Sequence, residues 1–125
     1  MSSVSDRDPT VAGAILRQAI RYVFEPDPWL DQADQDTIEA VALAVEGMAE
    51  VSRRRRESLG PEPWKTKTPA RHLEHATIHV DTAFAAAEEG LPVAVDEETG
   101  LPHLLHCVLR CAFAHARQQG VGGPP

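Results

Sequence analysis

A chain of 125 residues has the length of one domain, large enough for a single core of three or four helices. A hydrophobic fraction of 42% beside 25% charged residues is that of a soluble globular protein. Nineteen acidic against twelve basic residues leave a formal charge of -7, which argues against a partner that is polymeric nucleic acid or an anionic membrane, since both need clustered positive charge.

Residues 1 to 8 are polar and are expected to be disordered, and Met1 to Asp6 lacks the apolar stretch of a signal peptide. No apolar run is long enough to cross a bilayer, so the expected compartment is the cytoplasm. From Pro9 to Phe24, Val11, Ile15, Ala19, Ile20 and Val23 recur at helical spacing and predict a first amphipathic helix, ended by Pro26 and Pro28. Asp34 to Thr37 offers N-caps for a second helix over about 37–58, with Ile38, Val41, Val45, Met48 and Val51 as its buried stripe. Gly60-Pro61-Glu62-Pro63 closes it.

Residues 64 to 68 read as a loop, and Pro69 suits the first turn of a third helix that stops at Gly90. An acidic connection follows over residues 90–102, with at most a short extended piece at Leu91 to Val95. Pro102 opens a fourth helix running to about Gln119, and residues 120–125 form a tail. With only 5% aromatics, the core must be built from Ala, Leu, Val and Ile. The expected fold is all-α: a four-helix single domain over residues 9–119, with two related His-bearing helices packed against each other. The likeness of residues 72–85 to 103–116 suggests that this pairing is antiparallel.

That likeness is the chain's most informative feature. His72-Leu73-Glu74-His75 and His103-Leu104-Leu105-His106 repeat one His-Leu-x-His frame, and His79 extends the first. Helical geometry puts positions i, i+3 and i+7 on one face, so His72, His75 and His79 share a ridge, as do His103, His106 and Arg110. Imidazole is the commonest ligand of zinc and related ions, and carboxylates complete hydrolytic sites. His72, His75, His79, His103 and His106 are therefore the candidate ligands of a divalent ion (zinc, manganese, cobalt or magnesium). Asp96, Glu97 and Glu98 arrive just before the second pair. The bland alternative is that the histidines bond one another and nearby carboxylates, or face water.

The fourth helix is apolar almost all round, through Leu104, Leu105, Val108, Leu109, Cys111, Ala112 and Phe113, and is expected to be buried on most sides. Arg110 on such a helix needs an anionic partner: Asp81, a loop carboxylate or a substrate phosphate. Trp64, Lys65, Lys67 and Arg71 precede the third helix and are candidates for base stacking and phosphate contact. Glu39, Glu46, Glu50 and Glu57 line one face of the second helix, opposite its apolar stripe, and should point to solvent. Arg53 to Arg56 spans the circumference of the helix end and suits the negative end of the dipole; the alternative is a phosphate-facing role for one of these arginines. Cys107 and Cys111 lie one turn apart, a poor geometry for a disulfide, and read as reduced thiols. There is no Gly-rich phosphate loop, no Cys-x-x-Cys, no His-Glu-x-x-His, no His-Asp dipeptide and no nucleophile elbow.

Arg71-His72-Leu73-Glu74-His75, then Asp96-Glu97-Glu98-Thr99-Gly100-Leu101-Pro102-His103-Leu104-Leu105-His106, resembles the N-terminal domain of the dATP/dGTP diphosphohydrolase family. Members of this small helical group, frequent in phage and bacterial genomes, show an Arg-His-Leu element, an acid-x-x-Gly turn and His-Leu-x-His. The likeness covers about residues 64–115, and the spacer between the two elements is longer here. It implies a metal-dependent hydrolase of (deoxy)nucleoside triphosphates. By this resemblance His72, His103 and His106 with Asp96 or Glu98 hold the ion, Asp96, Glu98 and Arg110 serve the chemistry, and Arg71 steadies phosphate. A nucleotide is then the partner, with a homo-oligomer compatible. The competing expectation is a non-enzymatic helical module that binds a structural metal or dimerises through its third and fourth helices.

Overall fold

The computed structural model describes residues 9–24, 32–61, 63–91 and 93–123. The expected disorder of residues 1–8 and the prolines expected to end the first helix lie outside them. Among the described residues the chain is all-α, with four helices: α1 (Pro9–Phe24), α2 (Gln32–Leu59), α3 (Pro69–Glu88) and α4 (His103–Gln118). A single 3-10 turn at Trp64–Thr66 precedes α3. The helix α2 starts five residues before the position expected from its N-cap candidates, because no Gly or Pro interrupts residues 32–37 and each residue there tolerates a helix. The chain falls into two compact units, residues 1–46 and 47–125, with α2 contributing to each.

In the first unit, α1 turns Gly13, Leu16, Arg17 and Ile20 towards α2, a ridge at i, i+3, i+4 and i+7. Leu16 and Ile20 pack on Ile38 and Ala42. The Arg17 guanidinium forks onto Glu39, with contacts of 2.6 and 2.7 Å, and reaches Glu46 at 3.2 Å. This differs from the expected apolar face, since Val11, Ile15 and Val23 are all more than half exposed. The approach of Gly13 to Glu46 and the Arg17 ion pairs set the rotation of α1, so its aliphatic stripe is displaced from the contact. Likewise Ala42, not Val41, occupies the buried position on α2.

The second unit is built on α3 and α4, which pack against each other along their length. Thr68 caps α3, its Oγ1 accepting from the Arg71 N–H at 3.1 Å, and Pro69 occupies the first turn as expected. Gly90, at φ 69°, follows the end of α3 in the left-handed region where a side chain would be strained. His72 lies against Arg110 and Phe113, while His79 lies against His103 and His106. Residue numbers thus rise on α3 as they fall on α4, and the pairing is antiparallel. Val51, Ala76, Leu109 and Ala114 are buried within this unit.

The expectation of α4 as an almost wholly buried apolar rod is corrected. Leu104, Cys111 and Ala112 are exposed, whereas His106, Arg110 and Arg117 are buried. The polar stripe faces α3 because each of its members finds a bonding partner there or on the adjoining loops. The acidic face of α2 is not merely solvated either: Glu50 pairs with Arg53 and Arg54, and Glu57 with Arg53. Arg54 and Arg55 also reach beyond their own helix. Arg54 Nη1 donates to the Thr99 carbonyl at 2.7 Å, and Arg55 Nη1 lies 3.0 Å from Glu98 Oε1. The arginine run therefore braces the acidic connection as well as suiting the helix end.

Candidate metal centre

The connection between α3 and α4 is folded around Asp96. Its Oδ1 accepts from the backbone N–H groups of Glu98 (2.9 Å) and Thr99 (3.1 Å), and its carbonyl accepts from Gly100 N–H at 2.7 Å. Short Asp side chains favour such turns because they replace a backbone acceptor locally. Gly100 supplies the positive φ, 73°, that closes the turn. An isolated antiparallel bridge between Val95 and Pro102 ties its two ends, and His103 N–H bonds to the Ala94 carbonyl. Among the described residues of the expected extended piece, Val95 is the one that bridges. The result delivers Asp96 to the start of α4.

Three potential ligands converge there. One atom each of His79, Asp96 and His106 lie within 4.8 Å of one another. His106 Nε2 is 4.0 Å from Asp96 Oδ1 and 2.7 Å from the buried Thr99 hydroxyl. The rings of His79 and His106 stack at 4.7 Å, and His103 Nδ1 meets His79 Nδ1 at 2.9 Å. Ligands held at about 2.1 Å by a tetrahedral ion sit about 3.4 Å apart. The cluster therefore fits one divalent ion after side-chain rotations on the order of an ångström.

Electrostatics prepare these groups in complementary ways. Burial pushes His106 down to about 4, against the pull of Asp96, so its imidazole is neutral at neutral pH. Burial and the neighbouring His103 lower His79 as well. Burial alone would raise Asp96, but the Thr99 N–H, the nearby His106 and the Glu98 N–H more than offset it and hold the carboxyl below its ordinary range. Two neutral imidazoles and one carboxylate are the protonation states a transition-metal ion requires of its ligands.

The antiparallel phase explains which histidines meet. The two ridges meet along α3, but His72 falls opposite Arg110, and His79 alone of the three on α3 reaches the His103–His106 frame. His72, two turns earlier, is about 10 Å back along the axis. It is fully buried, with Nε2 2.9 Å from the Trp64 carbonyl and Nδ1 3.4 Å from Arg110 Nη1. His75 is half-buried one turn before His79, lowered by burial and by the charges of Arg110, Lys67 and Arg71.

The other candidates occupy the surroundings. Trp64 stacks flat on Phe113 at 4.7 Å, and Lys65 lies over the indole. Arg71 is exposed and pairs with Glu74. The Lys67 carbonyl accepts from Arg117 Nε, and Glu98 stands on the Asp96 turn beside Arg55. Thr99 escaped the sequence reading despite its signal in the Asp-x-x-Thr-Gly turn, and the contact of Arg55 with Glu98 escaped it because it spans 43 residues of chain.

No helix among the described residues is long and apolar enough to span a membrane. No curated protein and no solved structure matches the chain. The family model described as dATP/dGTP diphosphohydrolase, N-terminal, matches residues 31–122, a stretch that contains His79, Asp96, His103 and His106. On that match over most of its length, the chain belongs to the dATP/dGTP diphosphohydrolase N-terminal family.

Proposed function

We propose that the chain acts in metal-dependent hydrolysis of (deoxy)nucleoside triphosphates, with His79, Asp96 and His106 as ligands of one divalent ion. The convergence of those three groups inside the family-matched region carries this reading. His72 and His75 then serve the packing of α3 and the electrostatics of the ridge. His103 acts behind His79, fixing its tautomer through the facing Nδ1 atoms.

A divalent ion bound there supplies a Lewis acid for a phosphoryl oxygen and an acidified water. The protein's own part is to hold the ligands and manage charge around them. Asp96 stays ionised through two backbone N–H groups, and the turn that bears it is pinned by Arg54. Glu98, two residues on and exposed at the surface, is the base assigned in this reading to accept a proton from a water on the solvent side. Arg110 is buried behind the cluster, and its charge opposes protonation of His79 and His75.

The test is metal content together with turnover. The protein, loaded in turn with Mn²⁺, Co²⁺, Zn²⁺ or Mg²⁺, is offered dATP, dGTP and the other common nucleotides, and release of pyrophosphate or phosphate is followed. His79→Ala, Asp96→Asn and His106→Ala should each lose metal by at least tenfold in affinity and lose turnover with it. Full metal content in all three variants would sink the ligand assignment. Metal uptake without turnover on any nucleotide would leave a metal-binding module.

A further inference from the structure

Every exposed residue of α1 between positions 11 and 23 is uncharged, among them Val11, Ile15, Gln18, Ala19, Tyr22 and Val23. The two arginines of that stretch, Arg17 and Arg21, are half-buried. A solvated helix face ordinarily carries the charged residues, so an apolar face without any is suited to being covered. The unit that bears it has little else to bury: among its described residues the buried apolar side chains are Ile20, Ile38 and Ala42. Two helices closed around so small a core gain little from burial, and association is a common remedy.

The spacing of the face says what fits it. Val11, Ile15, Gln18 and Tyr22 follow one another at steps of four, three and four, the alternation of a seam between two helices. An open hollow on this face is lined by Ile15, Gln18, Ala19 and Tyr22. Those are positions i, i+3, i+4 and i+7, the four-residue hole that receives one side chain from a facing helix.

We propose that this stripe is a homodimer interface, in which α1 of a second copy lies along it and inserts Val11 or Ile15 into the hollow. A two-fold interface sets one surface against itself, so any charge on it meets its like. The exposed stripe carries none, and it holds both halves of the packing: the aliphatic knobs and the hole between Ile15 and Tyr22. A lipid surface fits less well, because a chain with a charge of -7 is repelled by anionic headgroups. Val11, Ile15, Tyr22 and Val23 are 51, 65, 72 and 76% exposed. Side chains so open leave on the order of 500 Å² per copy, so a pair buries about 1,000 Å², the lower bound of a specific interface. The dimer is therefore reversible on dilution.

Sedimentation velocity of the metal-free full chain, from low micromolar to near millimolar concentration, tests this apart from the hydrolase reading. Wild type should pass from monomer to dimer as concentration rises. Ile15→Glu and Tyr22→Glu should each weaken association at least tenfold, since the symmetry brings a carboxylate to the seam from both copies. Phe84→Glu, at an exposed position on α3, should leave association unchanged. Ile15→Ala adds no charge and should weaken association several-fold, which keeps the test alive if a glutamate variant loses helix by circular dichroism. A wild type that is monomeric throughout, or wild-type association in all three α1 variants, overturns the interface. Loss of association in Phe84→Glu alone moves it to α3 and overturns it equally. A monomeric wild type that floats with phosphatidylcholine vesicles, and ceases to as Ile15→Glu, would assign the stripe to lipid instead.

Discussion

His79 and His103 face each other through identical atoms, Nδ1 to Nδ1 at 2.9 Å. Two like nitrogens can bond only if one carries a proton and the other presents a lone pair. An imidazolium carries hydrogen on both nitrogens, so the contact cannot survive with both rings charged. Because His79 belongs to α3 and His103 to α4, this is a proton-sensitive hydrogen bond between the two helices.

Stability should accordingly fall on mild acidification. In the unfolded chain His106 takes a proton near 6.5, but in the folded chain only near about 4. Between those values the unfolded state binds more protons, so stability declines as pH drops from about 6.5 to about 4 and then levels. For His106 the loss is on the order of 3 kcal/mol, and His79 and His75, lowered likewise, act in the same direction. Asp96 works in a more acid window: its contribution is present above its ordinary value of 3.8 and disappears as pH falls below it. Urea midpoints at pH 7, 5.5 and 4.2 should fall steadily for wild type and less steeply for His106→Gln. Equal slopes would refute this account.

Thr99 bears on the same ring from the other side. Its Oγ1 accepts from Leu101 N–H at 3.2 Å and lies 2.7 Å from His106 Nε2, all in a buried setting. Thr99→Val keeps the shape and removes both bonds, which should cost about 1–3 kcal/mol. Thr99→Ser retains the hydroxyl and should lose less than half of that. Chemical denaturation of the two variants decides it, and equal losses would mean that the methyl group, not the hydroxyl, matters.

Much of this architecture is written in local signals. Thr68-Pro69, Gly90 and Pro102 mark helix ends that the structure reproduces within a residue or two, because caps and φ restrictions act over a few residues. The histidine ridges were equally legible as ridges. The antiparallel sense was expected, but the register was not legible: which turn of α3 lies beside which turn of α4 is set by packing between helices, so periodicity alone left all five histidines in play. Arg54 and Arg55 show the same limit, since their partners Thr99 and Glu98 come from a loop more than forty residues away. On α1, the pairing of Arg17 with Glu39 and Glu46 overrode an apolar stripe that looked sufficient by itself.

His72 and His106 should separate cleanly in mutation, although their sequence frames are alike. Removing the His72 ring leaves a void beside Phe113 and takes the donor from the Trp64 carbonyl. His72→Ala should therefore cost about 2–4 kcal/mol, with metal content per folded chain within a factor of two of wild type. His106→Ala should instead abolish metal uptake. Elemental analysis of the two purified variants, alongside their urea midpoints, checks both halves. Loss of metal in a folded His72→Ala chain would bring His72 into the ligand set.

Gly47 gives a prediction whose sign depends on its neighbour. It sits inside α2, where alanine would ordinarily stabilise the helix by up to about 1 kcal/mol. A Cβ there, however, would collide with Leu105 Cδ2 and lie 2.7 Å from Cδ1 and 3.0 Å from Cγ. Both methyls and the branch point are blocked, so the whole Leu105 side chain must leave its place, at the about 1–3 kcal/mol typical of overpacking. Gly47→Ala should destabilise the wild type. Once Leu105→Ala has cleared the space, the same change should stabilise, since only the gain in helix propensity remains. Thermal unfolding of the four chains in this double-mutant cycle reads the coupling directly, and a loss of equal size on both backgrounds would show that α2 and α4 do not touch at this point.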